Sequence, residues 1–276
     1  MPWILVSALV ALGGGIAAWV RWLVRRRGVW FTILNNAIPG HAHYWRERMA
    51  RHGEYLYVAI GDSAAQGIGA SRPGRSYVGM IARHIRTVSP VKWRVANLSV
   101  SGATVSLALK NQLPKLLKLE PDLCTVAIGA NDIAAFDPER FERDLRALYS
   151  ALPSHAIVAD VPCFYFNPRE RIVRQANEIL RRVAGEFGLE VVPLHELTRR
   201  QGARGIVTQF AGDLFHPNDR GYAVWARAFE PAVDARLRAT GLGAGPLDAD
   251  DPRSTVGDPL PEDDVDQPAA EAPRGS

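Results

Sequence analysis

The sequence predicts an α/β fold in which a parallel sheet of about five strands carries helices on both faces. Two observations lead there. From Glu54 to the region of Thr240, short apolar runs alternate with longer segments of helical spacing, the pattern of successive strand–helix–strand crossovers. Several short polar motifs directly follow the apolar runs. That places them at the carboxyl ends of strands, where open parallel sheets hold their ligands.

Each element has a local reason. Residues 55–60 (YLYVAI) form a short apolar run closed by Gly61-Asp62-Ser63. Residues 77–88 have helical spacing. Residues 93–100 (WRVANLSV) read as a second strand, and residues 104–119 as a helix disturbed at Pro114, because proline lacks the N–H that the interior of a helix needs. A third strand covers residues 123–128. Residues 138–152 form a helix with Asp137 as cap and Pro138 in its first turn. A fourth strand covers residues 156–161. The helix over residues 168–187 is stopped by Gly188, and a fifth strand covers residues 189–192. The last helix is capped by Asn218 or Asp219 and runs to Thr240. No internal repeat is present.

The chain has 276 residues and a net charge of +4, enough length for one good-sized core. Residues 242–276 contain nine acids and two bases, so the charge is uneven and the remainder is basic. The arginines are scattered over predicted helices and no nucleic-acid module is present, so they read as solvated helix faces. Two cysteines, Cys124 and Cys163, make no disulfide framework; both lie in apolar runs and read as buried, inert thiols.

Residues 2–20 carry no charge and are followed by Arg21 and by Arg25-Arg26-Arg27, with Trp19 and Trp22 at the border. This length suits a membrane-spanning helix, weakened by Gly13-Gly14-Gly15. The expectation is a single-pass anchor over residues 1–27, with the membrane as a partner and the body on the cytoplasmic side by the positive-inside rule. Bases after the apolar run, not before it, disfavour a signal peptide and leave export as the alternative. Residues 28–53 read as a basic, aromatic connector. Its histidines, His41, His43 and His52, have only Glu47 as a further ligand at metal spacing, so no metal is expected. Residues 54–240 are the α/β domain. Residues 241–276, rich in Pro, Gly, Ala and Asp, read as a disordered acidic tail.

The motifs carry the chemistry. A serine hydroxyl is a poor nucleophile without a base to take its proton. Ser63 follows the first strand through Gly61, where the chain can turn sharply. His216 is the candidate base, and Asp213, three residues earlier, is placed to hold its tautomer and stabilise the imidazolium. Acyl transfer also needs donors aimed at a developing oxyanion. The backbone N–H groups of Ser63 and Gly102 and the side-chain amide of Asn131 are candidates, glycine at 102 allowing close approach. Singly, each has an ordinary reading as a cap, turn glycine or Asx turn. Together, with the first three motifs directly after strands, they point to a hydrolase site.

These blocks, Gly61-Asp62-Ser63, Ser101-Gly102, Gly129-Ala130-Asn131-Asp132 and Asp213-Leu214-Phe215-His216-Pro217, resemble the SGNH hydrolases of the GDSL esterase/lipase superfamily over residues 54–240. Ala64 stands where the family's naming motif has Leu. The resemblance implies a flavodoxin-like three-layer α/β/α sandwich, with Ser63 as nucleophile, Asp213 and His216 completing the triad, and Ser63, Gly102 and Asn131 forming the oxyanion hole. It implies no metal and no organic cofactor. The expected activity is hydrolysis of a small-molecule or lipid ester through an acyl-enzyme. An acyltransferase or carbohydrate O-deacetylase would use the same site, and a catalytically silent binding scaffold would have no need of the intact set. The segment 163–168 (CFYFNP) is a candidate apolar wall for the acyl group.

Overall fold

The computed structural model of the chain describes residues 2–165 and 168–243, with the side chains of residues 2–13, 16 and 17 outside that description. The expected acidic tail therefore lies outside the described residues, apart from its first three positions.

Five strands form one parallel sheet: β1 (Tyr55–Gly61), β2 (Trp93–Asn97), β3 (Leu123–Ala127), β4 (Ile157–Ala159) and β5 (Glu190–Val192). Their spatial order is β2-β1-β3-β4-β5, the flavodoxin-like order. In register, Val58 of β1 faces Ala96 on one side and Cys124 on the other. The chain steps outward from β1 to β2, then returns to β3 on the far side of β1. The reversal opens a crevice at the carboxyl ends of β1 and β3, and the loops carrying Ser63 and Asn131 leave from there.

Both faces of the sheet are covered, which is why its strands read as continuous apolar runs instead of alternating ones. In β1, Leu56, Val58 and Ile60 enter one core with α4 (Val105–Asn111), α5 (Leu113–Leu116), α6 (Pro138–Tyr149) and α7 (Arg169–Glu186). Tyr57 and Ala59 enter the other with α3 (Tyr77–Val88), α8 (Leu194–Arg199) and α10 (Asp219–Ala239). Caps fall where local chemistry puts them: Thr104 on α4, Asp137 on α6 and Asn218 on α10, each accepting backbone N–H groups of the first turn. Among the helices that escape the sequence reading are α8 and α9 (Gly202–Thr208). Both are shorter than two full turns or barely reach them, so neither shows a period. Cys124 and Cys163 are buried and unpaired, and burial pushes their thiols up to about 12 and about 11 respectively.

The N-terminus requires a correction. Helix α1 runs without a break over Pro2–Met49, through Arg21 and Arg25-Arg26-Arg27. Among the described residues no helix is long and apolar enough to cross a membrane. The expectations of a single-pass anchor, of the membrane as a partner and of a body held in the cytoplasm do not stand. Beyond the arginines, one face of the helix packs against the α/β domain. Leu34 packs with Ile68 and Ala211, and Trp45 is buried in the core that covers Tyr57. His41 Nδ1 and Trp45 Nε1 both reach the carbonyl of Gln66, at 2.9 and 3.1 Å. Of the other connector histidines, His43 pairs with Glu47 at 3.1 Å on the exposed side.

Replacing Trp45 by Ala removes a large buried side chain and an N–H donor together. Urea unfolding of Trp45→Ala is expected to show a loss of about 3 kcal/mol; wild-type stability would show that this end of α1 is not part of the folded core.

Candidate active site

Strand β1 delivers Ser63 through a tightly held turn. Asp62 caps α2 (Ser63–Gln66), its Oδ1 accepting the Ala64 N–H at 2.9 Å, so Ser63 is the first residue of a one-turn helix and is nearly buried. Gly61 is needed because a Cβ there would sit 2.7 Å from the Ala65 Cβ and 2.8 Å from the Ala127 carbonyl. Gln112, fully buried, holds the backbone of Gly61 from both sides. Its Oε1 accepts the Gly61 N–H at 3.0 Å and its Nε2 donates to the Gly61 carbonyl at 2.8 Å.

The loop before α10 brings the base. Leu214 takes a left-handed conformation, φ 57°, a conformation that costs a non-glycine residue energy. That turn folds the two following N–H groups, of Phe215 and His216, onto Asp213 Oδ1 at 3.1 Å each. Asp213 Oδ2 then bonds His216 Nδ1 at 2.6 Å, and His216 Nε2 lies 3.0 Å from Ser63 Oγ. Burial alone would raise the Asp213 carboxyl. The His216 hydrogen bond and charge, with the two backbone donors, outweigh it and hold its pKa below the ordinary value. An ionised Asp213 fixes the Nδ1–H tautomer, leaving the Nε2 lone pair toward the serine. Gly69, φ 98°, lets this loop close, since a Cβ there would lie 2.4 Å from the Pro217 carbonyl and 2.9 Å from the His216 Cβ.

Asn131 opens a 3-10 turn (Asn131–Ala135) after β3. Its Nδ2 donates to Asp62 Oδ2 at 3.1 Å and to the Ala103 carbonyl at 3.0 Å. The amide thus bridges the residue before Ser63 and the residue after Gly102. Neither the Ser63 nor the Gly102 N–H has a hydrogen-bond partner among the described residues. Gly102 does not itself line the cavity at Ser63. Its glycine is explained by φ 76°, not by crowding, because an added Cβ would meet nothing within 4 Å. Asp132 accepts the Val105 N–H at 3.1 Å. Burial pushes both Asp62 and Asp132 up to about 6.

Ser63 and His216 open on a cavity of about 580 Å³ whose wall is mostly apolar, including Phe164, Phe215, Leu214 and Trp225. Cys163, Phe164, Tyr165 and Pro168 of the expected acyl wall line it; Phe166 and Asn167 lie outside the described residues. Cys163, Glu170 and His195 put a thiol, a carboxylate and an imidazole within 4.8 Å of one another. These groups satisfy one another: His195 Nε2 meets Glu170 Oε1 at 2.7 Å, and Glu170 Oε2 accepts the Phe164 N–H at 2.9 Å. The cluster thereby holds the start of the wall segment at Cys163 and Phe164. Asp62 and Asp132 make the structural hydrogen bonds expected of acids that accompany the motifs; Gln112, the pairing of Asp62 with Asn131, and the cavity-lining Arg27 escape the sequence reading, since each depends on a contact across the fold. A buried Gln beside a helix break was the one available signal for Gln112.

The sequence profile of the GDSL-like Lipase/Acylhydrolase family matches residues 59–224. The chain belongs to that family. Such membership makes it an ester-hydrolysing enzyme. Among solved structures it is similar to an alpha/beta hydrolase enzyme from the metagenome of Lake Arreo, Spain, at 25% identity and TM-score 0.56, covering 67% of this chain and 97% of the other. It is also similar to an acetylxylan esterase from Geobacillus stearothermophilus, at 22% identity and TM-score 0.52 over 65% and 94% of the two chains. A member of the lipolytic G-D-S-L family from Veillonella parvula gives 20%, 0.55, 64% and 97%. The last two likenesses speak for the fold. No curated sequence relative matches the chain.

Asp62 makes stability depend on pH. Its folded pKa of about 6 lies above the ordinary 3.8, so between these values the folded protein holds a proton that the unfolded chain has released. The contribution is full below the lower value and lost as pH rises through the upper one, a change of roughly 2–3 kcal/mol. Asp62→Asn removes this slope and leaves a pH-independent offset. Urea midpoints across that window are expected to fall more steeply in wild type than in the variant; equal slopes would show that Asp62 titrates normally.

Proposed function

We propose that the protein is a serine esterase that cleaves small acyl esters through an acyl-enzyme, with Ser63 as nucleophile, His216 as general base and acid, and Asp213 as its orienting partner. The observation that carries this reading is the line Asp213–His216–Ser63, with contacts of 2.6 and 3.0 Å, opening directly on an apolar cavity. Ser63 Oγ attacks the ester carbonyl as its proton passes to His216 Nε2. Asp213 stays ionised and stabilises the imidazolium. The alcohol leaves with that proton, and water repeats the sequence on the acyl-Ser63 ester.

The oxyanion forms next to the Ser63 N–H, which is free to donate. In this reading the Gly102 N–H and the Asn131 amide complete the hole. Asn131 shares one N–H between the oxyanion and Asp62 or the Ala103 carbonyl, as a three-centre bond. The aromatic wall favours an apolar acyl group. A carbohydrate acetyl ester is the second reading, favoured by the likeness to an acetylxylan esterase.

Ser63→Ala and His216→Ala are each expected to lower kcat on chromogenic esters by about 10⁴-fold or more, and the double variant by no further factor, because the two act as a unit. Asn131→Ala is expected to cost about 10²-fold. Undiminished turnover in Ser63→Ala would sink the mechanism. A series of acyl chain lengths separates the substrates: rising kcat/KM from acetyl to hexanoyl supports the apolar acyl reading, and a preference for acetyl supports the carbohydrate ester.

A further inference from the structure

Helix α1 brings one charged side chain to the cavity, and it does so by the register of its docked face. Trp30, Leu34, Ile38, His41 and Trp45 follow one another at intervals of three or four residues, the spacing of a single helix face. Leu34 and Ile38 pack with Ile68 and Ala211. Trp30 lies flat against Gly212, where a Cβ would come within 2.3 Å of the indole. One step further back along the same face stands Arg27, and it lines the cavity that holds Ser63 and His216. From the opposite part of the chain, Arg169 lines the same cavity.

Neither guanidinium has an ion-pair or hydrogen-bond partner among the described residues, although Arg146, Arg174, Arg181, Arg182 and Arg200 all do. The single carboxylate in the cavity lining is Asp62, and its two oxygens are taken by Ala64 and Asn131. Arg169 is the first residue of the 18-residue helix α7, with Glu170 beside it in the first turn. Two exposed arginines therefore line one apolar cavity whose single lining carboxylate is already engaged.

We infer that Arg27 and Arg169 form an anion subsite of the esterase, and that the substrate is an ester carrying a carboxylate or phosphate on its non-reacting part. The inference rests on the esterase reading above and names its substrate class. Guanidinium groups bind carboxylate and phosphate oxygens in pairs of parallel hydrogen bonds. The apolar wall takes the hydrocarbon portion, and the rim arginines take the charged end. Anchoring that end fixes the ester carbonyl against Ser63.

The test compares paired esters in two arms. On the acyl side, the 4-nitrophenyl monoester of adipic acid is set against 4-nitrophenyl hexanoate. On the alcohol side, an acyl glycerol phosphate is set against the uncharged acyl glycerol. The readout is the ratio of kcat/KM, anionic over neutral, which a general loss of activity does not change. Wild type is expected to favour the anionic ester by about tenfold in one arm, the worth of one charge-assisted contact. The double variant Arg27→Gln, Arg169→Gln is expected to bring the ratio to about one, and added salt to lower it in wild type. Arg27→Lys should keep part of the preference. A ratio near one in both arms for wild type, or a preference that survives in the double Gln variant, would overturn the anion subsite while Ser63-dependent turnover of the neutral ester upheld the esterase reading. Absence of any Ser63-dependent turnover would overturn both.

Discussion

The carboxylate of Asp62 ties the end of β1 to the loop after β3, and the site is organised around that tie. One oxygen caps the short helix that begins at Ser63, and the other holds the Asn131 amide. Asn131 in turn grips the Ala103 carbonyl, so three loops meeting at the sheet reversal are joined through one buried group. A buried carboxylate is costly unless its oxygens are satisfied, and the pKa of about 6 records that cost. The two donors it accepts are the means by which the fold tolerates it.

Support for this junction comes from both sides of the sheet. On one side Gln112 holds both backbone groups of Gly61 just before the turn. On the other, two side chains of α1 converge on the carbonyl of Gln66, the last residue of the helix that starts at Ser63. The base arrives on a separate loop whose geometry is bought with a left-handed Leu214 and a close approach at Gly69. Backbone strain of this kind persists only where packing over-determines it, and here Trp30 against Gly212 supplies that packing from α1. The N-terminal helix is therefore a wall of the domain that bears on both the nucleophile's helix and the base's loop.

Much of the fold was legible because its signals are local. The strands announced themselves as apolar runs, and Thr104, Asp137, Asn218 and Gly188 marked helix ends by capping and turn chemistry. Ser63, Asn131, Asp213 and His216 could be named because each sits in a short motif after a strand or before a helix. Gly102 sits in the same kind of motif, and the structure adds a backbone reason for glycine there, its φ of 76°. The N-terminal anchor does not stand because one helix continues through Arg21 and Arg25-Arg26-Arg27, and Leu34 and Trp45 further along it pack on the α/β domain, a docking that the uncharged run does not announce.

By itself the sequence determined the parallel α/β architecture, the order in which its motifs occur and the residue types available for acyl chemistry. These follow from periodicity, caps and side-chain chemistry, which are properties of neighbours along the chain. The tertiary structure alone decided that α1 covers the domain, that Gln112 braces the nucleophile turn, that Asp62 joins it to Asn131, and that Arg27 and Arg169 share a cavity. Each of these depends on residues tens or hundreds of positions apart, brought together by the strand order and by which helix face is buried, and no local pattern records such a pairing.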